Sequence, residues 1–189
     1  MYIDKPLQRG FTLFDVLTSL AIIVIIYGIA IPSFTSVYQS HQTTSATNKL
    51  TGALHFTRQH AASKYITTTL CPKALLDQCG KEWENGIIIF EDANKNGKRE
   101  ASETLIKVIE SWPEGSDLRW SSFGSSYYLR YTTEGATLNQ NGSFIYCPPD
   151  RDATNGNAIV INKSGRPRLA TDSDGDGIKE TTTGNNISC

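Results

Sequence analysis

RGFTLFDVLTSLAIIVIIYGIAIPSF, residues 9–34, is the stretch that decides the fold of this chain. From Val16 to Phe34 it holds 19 residues without a charge, above the ~18 residues that predict a membrane-spanning helix. Lys5 and Arg9 are basic, and positive charge before a first span keeps that end in the cytoplasm. The sequence therefore predicts one membrane span over residues 11–34, with the rest of the chain outside the cytoplasm.

The helical period continues beyond Pro32, which in a membrane helix bends the helix without ending it. Apolar residues recur at three- and four-residue steps or their sums, at Phe34, Tyr38, Ala46, Leu50, Ala53, Leu54 and Ala61. We therefore expect one helix over residues 11–64, with a transmembrane half and an amphipathic half. The alternative is an ordinary secretory signal cleaved after Ala30, because Gly28 and Ala30 are small residues at a suitable spacing. The charge of Asp15 and the continued period both favour the long helix.

Residues 65–189 change from a helical period to short runs rich in β-branched and aromatic residues. The predicted strands are Tyr65–Leu70, Gly86–Phe90, Leu105–Ile109, Tyr127–Thr132, Ser143–Cys147 and Ala158–Asn162. Turn-forming segments separate them and no helical pattern intervenes, so the sheet should be antiparallel. The expected fold class is α+β, with the long N-terminal helix packed on an antiparallel β-sheet head that ends in a polar C-terminal tail.

Four cysteines indicate disulfides, because an even number in an exported domain commonly forms them. They are Cys71, Cys79, Cys147 and Cys189, for which three pairings are possible. We favour Cys71 with Cys79, which closes a short loop, and Cys147 with Cys189, which ties down the polar tail. A zinc site is the weaker alternative, since the sequence has no Cys-x-x-Cys pair.

Three stretches together resemble one protein family. Residues 9–15 resemble the class III signal sequence of type IV pilins and pseudopilins. WENGIIIFEDANKNG, residues 83–97, resembles the W-x-x-G-hydrophobic-F-x-D-x-N-x-x-G stretch of GspH/FimT minor pilins, and GRPR at residues 165–168 is similar to the GRxR motif of FimT-type members. The resemblance implies that a prepilin peptidase cuts after Gly10 and methylates Phe11, and that the mature chain joins other pilin subunits in a filament.

The charge of the chain argues against general attraction to nucleic acid. The full sequence carries 18 basic and 19 acidic residues, a net charge of -1. Removal of the leader, residues 1–10, takes away Asp4, Lys5 and Arg9, leaving 16 basic and 18 acidic residues and a net charge of -2. Binding of a polyanion would therefore need a local basic patch.

Asp15 is the fifth residue of the predicted mature chain, where pilins and pseudopilins usually carry Glu. The resemblance implies that its carboxylate pairs with the N-terminal amine of a neighbouring subunit and guides assembly. A carboxylate in a span is unfavourable by ~2.5–3.5 kcal/mol at the bilayer centre and by less near the interface, so its presence indicates a role. The alternative is a plain charge at a helix N-terminus, stabilised by the helix dipole.

Arg166 and Arg168 are the candidate DNA-binding residues, with Lys163 adding charge and Gly165 allowing the turn that presents them. Pro167 favours an extended chain, in which residues two apart point to the same side. Two guanidiniums ~6–7 Å apart would match adjacent phosphates along a strand. The resemblance to FimT-type proteins implies binding of DNA for uptake in natural transformation. The alternative is an ordinary surface pair, solvated or bonded to acids of the tail.

Two loops are weak calcium candidates. They contain Asp92, Asn94 and Asn96 in the first and Asp172, Asp174 and Asp176 in the second. The first matches the EF-hand pattern formally, but a strand-like run precedes it, so turn formation explains it better. The second lacks the distal carboxylate of that pattern. No other cofactor is expected.

The sequence shows no nucleophile elbow, Walker loop or dinucleotide-binding pattern, so we expect no enzyme. Tyr127, Tyr128 and Tyr131 could stack on bases, but their strand-like setting favours packing within the head. The resemblance to GspH/FimT proteins implies a minor type IV pilin, held in the inner membrane and then incorporated in the pilus, that binds DNA without sequence preference. The alternative is a GspH-like pseudopilin or minor pilin with a purely structural role in a pilus or a type II secretion filament.

Overall fold

The computed structural model describes residues 10–137 and 139–189, without the side chains of residues 29–36. The chain divides into two compact units, one reaching Tyr38 and the other comprising Gln39–Cys189. Over the part whose side chains are described, no helix is both long and apolar enough to cross a membrane. Part of the predicted span, residues 29–34, lies outside that description, as does the predicted leader up to Arg9.

Helix α1 runs over Leu13–Lys64, starting two residues later than predicted. Its N-terminus is a reciprocal cap: the Thr12 backbone N–H donates to Asp15 Oδ2 at 2.9 Å, and the Asp15 N–H donates to Thr12 Oγ1 at 3.3 Å. The capping residue keeps a non-helical backbone, which explains the later start. At the other end Tyr65 has a φ of 54°, outside the helical region, and the helix stops there.

In the described residues, eight strands form two four-stranded antiparallel sheets. They are β1 Thr68–Pro72, β2 Ile87–Glu91, β3 Leu105–Ile109, β4 Asp117–Ser122, β5 Leu129–Tyr131, β6 Gly142–Cys147, β7 Asn157–Ile161 and β8 Pro167–Leu169. Short 3₁₀ helices occur at Leu75–Asp77, Trp83–Asn85 and Ala153–Asn155. The first sheet has the order β3-β2-β1-β5 and the second β4-β6-β7-β8, which leaves β8 at an edge. The predicted α+β class with antiparallel sheets is confirmed.

The main core lies where the part of α1 beyond Gln39 meets both sheets. Leu50 and Leu54 of the helix pack with Ile89 of the first sheet and Phe144 of the second. The three tryptophans, Trp83, Trp112 and Trp120, belong to this core and are 3–5% exposed. The second half of the helix is therefore one structural unit with the sheets.

The outer face of each sheet carries a smaller apolar cluster that contains a disulfide. Cys71 of β1 is bonded to Cys79 across a separation of 8 residues, beside Ile88 and Phe90. Cys147 of β6 is bonded to Cys189 across 42 residues, beside Ala158 and Val160. These are the pairings favoured from the sequence. Each bond holds a loop or the tail against a sheet face that the helix does not cover.

Candidate nucleic-acid interface

Gly165 forms the turn between β7 and the edge strand β8. Its N–H donates to the carbonyl of Asn162 at 2.9 Å, and its φ of +74° lies in the left-handed region that glycine adopts without strain. A Cβ at this position would overlap the carbonyl oxygen of Gly135 and come within 2.9 Å of Tyr131 Cε1. Glycine is therefore required here by backbone conformation and by close packing together.

The two arginines of the motif lie on the outer face of the second sheet. Arg168 is paired in register with Val160, whose side chain belongs to the outer cluster, and directly paired residues share a face. Pro167 is paired with Ile161 of the main core and so faces inward. Alternation continued one residue before the strand puts Arg166 on the same side as Arg168. Both arginines are exposed.

Within residues 10–137 and 139–189, neither guanidinium of the motif nor the exposed Lys163 ammonium makes a hydrogen bond or an ion pair. The alternative expectation was an ion pair with Asp172 or Asp174. Asp172 instead accepts from the backbone N–H groups of Gly175 and Gly177, and the latter bond lowers the pKa of its carboxyl below the ordinary value. The three cations are thus available to an anionic partner.

The backbone that carries the basic residues is firmly held. The Thr137 N–H donates to the Lys163 carbonyl at 3.1 Å, and its hydroxyl donates to the Asn162 carbonyl at 3.1 Å. The Asn162 side-chain oxygen in turn accepts from the Arg166 N–H at 3.3 Å. A preorganised turn loses little conformational entropy when it binds a ligand.

Sequence reasoning missed Arg58, a helix residue that anchors the loop beneath the motif. Its Nε donates to the Gly135 carbonyl at 2.9 Å, across 77 residues of sequence, and no local pattern could have indicated that contact. Tyr131 lies between the same elements, and its buried hydroxyl has no hydrogen-bond partner among the residues that the structure describes. Burial raises the pKa of Tyr131 well above its ordinary value. Of the three tyrosines considered for stacking, Tyr131 is buried, Tyr128 is half-buried and Tyr127 is exposed.

The sequence matches the family described as Type II transport protein GspH over residues 46–165, which are 120 of the 189 residues. The chain belongs to the GspH family. Its fold is that of a minor pilin or pseudopilin of the GspH/FimT type, and such membership implies assembly with other pilin subunits in a filament. Among curated proteins, none matches the sequence.

Solved structures of minor pilins share the GspH-family fold of this chain. The type IV minor pilin FimU of Pseudomonas aeruginosa (strain PAO1) is 19% identical, with a TM-score of 0.56 over 69% of this chain and 90% of FimU. The minor pseudopilin EpsH from the type 2 secretion system of Vibrio cholerae is 9% identical, with a TM-score of 0.52 over 70% of this chain and 99% of EpsH. At these identities the likeness concerns the fold alone.

The predicted processing and assembly residues lie at the start of the described GspH-family chain. Gly10 and Phe11 are exposed and precede the helix, so the predicted cleavage site lies in non-helical backbone. Asp15 also accepts a bond from the Thr12 hydroxyl at 2.8 Å, in addition to the reciprocal cap. Its local contacts are those of a helix cap, the simpler of the two roles expected. The assembly role stays a prediction.

The first calcium candidate loop uses its polar groups to build a turn. Asp92 is fully buried, and its carboxylate accepts from the Thr69 hydroxyl at 2.7 Å and from the N–H groups of Asn96 and Gly97 at 3.0 Å each. The Asn94 side chain donates to Glu100 at 3.0 Å, and the Asn96 side chain donates to the same oxygen at 2.8 Å. These contacts agree with the preference for turn formation over an EF-hand site.

The second calcium candidate loop brings Asp172, Asp174 and Asp176 together, with a carboxylate oxygen of each within 4.8 Å of the others. Asp174 and Asp176 also accept backbone N–H bonds within the loop, at 3.2 and 2.8 Å. Such bonds form in acidic turns without any metal. Calcium binding at either loop therefore stays a prediction from the sequence.

Proposed function

We propose that this GspH-family protein is a minor type IV pilin that binds DNA without sequence preference through Arg166 and Arg168, and that it supports DNA uptake in natural transformation. The observation that carries the proposal is the pair of exposed guanidiniums at the start of the edge strand of the second sheet, which have no partner in the described residues and follow the rigid Gly165 turn. Lys163 adds a third cation on the same turn. Arginine binds phosphate through two parallel hydrogen bonds, so the site suits a phosphate backbone.

The expected binding is weak and directed at the DNA backbone. Two or three phosphate contacts give a slope of about -2 to -3 for log K against log salt concentration. Contacts to phosphate position a protein but carry no sequence information. Useful affinity would come from several subunits on one filament or from other pilus proteins acting together.

The maturation that accompanies this function is part of the same proposal. A prepilin peptidase removes residues 1–10 and methylates Phe11, and residues 11–34 anchor the subunit in the inner membrane until it enters the pilus. The exposed, non-helical Gly10 and Phe11 support the cleavage step. Asp15 then pairs with the N-terminal amine of a neighbouring subunit during assembly.

A structural role is the second candidate, favoured by the description of the matching family as a type II transport protein. A net charge of -2 after leader removal would also suit a subunit without any polyanion ligand. In this case the chain serves only to build a pilus or a secretion filament, and the exposed arginines remain solvated.

DNA titration of the full chain in non-ionic detergent tests the proposal. Arg166→Gln with Arg168→Gln should weaken duplex binding and make the salt slope shallower by about 2, because two phosphate contacts are lost. The matched control is Lys64→Gln with Lys107→Gln, which removes the same charge from exposed positions elsewhere. Equal affinities for wild type and the arginine variant would reject the site.

Cells that carry each variant separate the two functions. If the proposal holds, a strain with the double arginine variant assembles filaments normally but takes up less DNA than the wild type or the lysine control. If that strain takes up DNA normally, while deletion of the chain abolishes filaments, the structural role is correct instead.

A further inference from the structure

A cleft of about 670 Å³ lies between three loops on the side of the first sheet. The loops are residues 78–81, which the Cys71–Cys79 disulfide holds, residues 96–100 and residues 125–128. Clefts of ~300–1,000 Å³ are the usual size of ligand sites. The residues of the arginine turn, Lys163, Arg166 and Arg168, do not line this cleft.

The cleft carries an excess of positive charge. Lys81, Lys98 and Arg99 line it, against one carboxylate, Glu100, which accepts from the two asparagine amides of the turn before it. Lys81 and Lys98 are exposed and form no ion pair within residues 10–137 and 139–189. Arg99 is half-buried and its Nη1 donates to the Asp77 carbonyl at 3.2 Å, so Lys81 and Lys98 are the cations that a ligand in the cleft can reach.

An exposed aromatic ring completes the cleft. Tyr127 lines it with 57% of its surface exposed. The turn that carries Tyr127 is rigid, because the buried Trp83 indole donates to one of its carbonyls at 2.9 Å and the Gln140 amide donates to another at 3.0 Å. The ring is therefore held outward by fixed backbone. Proteins that bind single strands stack unpaired bases on such exposed rings and hold the phosphate backbone with nearby cations.

A second, separate cavity adjoins the cleft. It has a volume of about 310 Å³, shares Tyr128 with the cleft and also includes Arg130, Thr132 and Thr137. The Arg130 guanidinium lies 5.6 Å from the centre of the Tyr128 ring. Thr137 bonds the backbone of Lys163, as described above. Tyr128 therefore lines both cavities, and Thr137, which lines the second, holds the backbone of the turn that presents the arginines.

We propose that this cleft binds single-stranded DNA, with an unpaired base stacked on Tyr127 and neighbouring phosphates held by Lys81 and Lys98. The inference rests on the proposed function and extends it, because it makes the preferred ligand a strand with exposed bases. In a duplex the base faces are already stacked on one another, so Tyr127 offers nothing to duplex DNA. The arginine turn, which contacts phosphates only, binds both forms.

The test compares three ligands of equal phosphate number on the full chain in non-ionic detergent: an oligothymidylate, the same strand without bases, and a duplex. Tyr127→Ala should weaken oligothymidylate binding by about 5-fold or more, the lower end of base-stacking losses. Binding of the abasic strand and of the duplex should stay unchanged. Tyr127→Phe should retain the wild-type affinity, because it keeps the ring. Phe123→Ala is the matched control, since Phe123 is a 75% exposed ring just before the same loop but does not line the cleft.

Any other result of this binding test rejects the stacking cleft, the arginine site or both. If Tyr127→Ala has no effect on oligothymidylate, or weakens all three ligands equally, base stacking in the cleft is wrong. If Arg166→Gln with Arg168→Gln changes nothing while Tyr127→Ala acts on oligothymidylate alone, the cleft stands and the arginine site fails. If the wild-type chain binds none of the three ligands, both proposals fail.

Discussion

Replacement of Gly165 by alanine tests the account of the turn most directly. The left-handed backbone at φ +74° costs an L-residue about 1–2 kcal/mol. The added Cβ also overlaps the Gly135 carbonyl oxygen, and overpacking of this kind costs about 1–3 kcal/mol. Gly165→Ala should therefore lower the free energy of unfolding by about 2–5 kcal/mol.

The matched control is Gly175→Ala, where φ is +81° but no atom lies within 4 Å of the added Cβ. It should cost only the conformational part, about 1–2 kcal/mol. Both variants restrict the unfolded chain equally, so that effect cancels in their difference. Urea unfolding followed by tryptophan fluorescence gives both values, because all three tryptophans lie in the main core. Equal losses for Gly165→Ala and Gly175→Ala would refute the packing argument.

Three further predictions concern stability. Loss of a disulfide gives the unfolded chain more conformational entropy, and a longer loop gives more. Cys189→Ser, which opens a separation of 42 residues, should lower the free energy of unfolding by about 4 kcal/mol, and Cys79→Ser, which opens 8, by about 2.5 kcal/mol. A larger loss for Cys79→Ser than for Cys189→Ser in urea unfolding would contradict this. Tyr131→Phe removes a buried hydroxyl without a partner and should stabilise the fold by about 1 kcal/mol. Because burial raises the pKa of folded Tyr131, its ionisation does not change the stability of the fold below the unfolded pKa of ~10 and lowers that stability as pH rises above it. Tyr131→Phe should therefore reduce the loss of stability at alkaline pH. Tyr65→Phe, at an exposed position, should change neither the stability at neutral pH nor the alkaline loss. Asp92→Asn replaces one carboxylate oxygen by an amide N–H that faces a backbone donor of the turn. It should lower the free energy of urea unfolding by about 1–3 kcal/mol. An unchanged unfolding midpoint would show that the carboxylate does not hold the turn.

The helix and most strands could be predicted because their signals are local. The apolar positions of α1, such as Leu50 and Leu54, follow the helical period and are buried as expected. Strand β4, Asp117–Ser122, was missed because it begins at a turn-forming segment and is rich in polar residues. Its alternating burial appears only when all six residues pair with β6. Pairing partners distant in sequence, and not propensity, make this segment a strand.

The candidate site was only partly predictable for the same reason. The sequence indicates the motif at residues 165–168, since glycine and alternating arginines are adjacent in the chain. The contact of Arg58 with the supporting loop spans 77 residues, and the Tyr127 cleft joins three loops that a disulfide and the buried Asp92 carboxylate position. Such groupings depend on tertiary packing and leave no periodic trace in the sequence.

The two disulfides also determine at which stage two surfaces of this protein take their final form. One fixes the loop that forms a wall of the Tyr127 cleft, and the other fixes the tail against the sheet face that carries Arg168. Thiols stay reduced in the cytoplasm and are oxidised after export. If the head is exported as proposed, both bonds form only after export, and the cleft wall and the tail reach their final positions there.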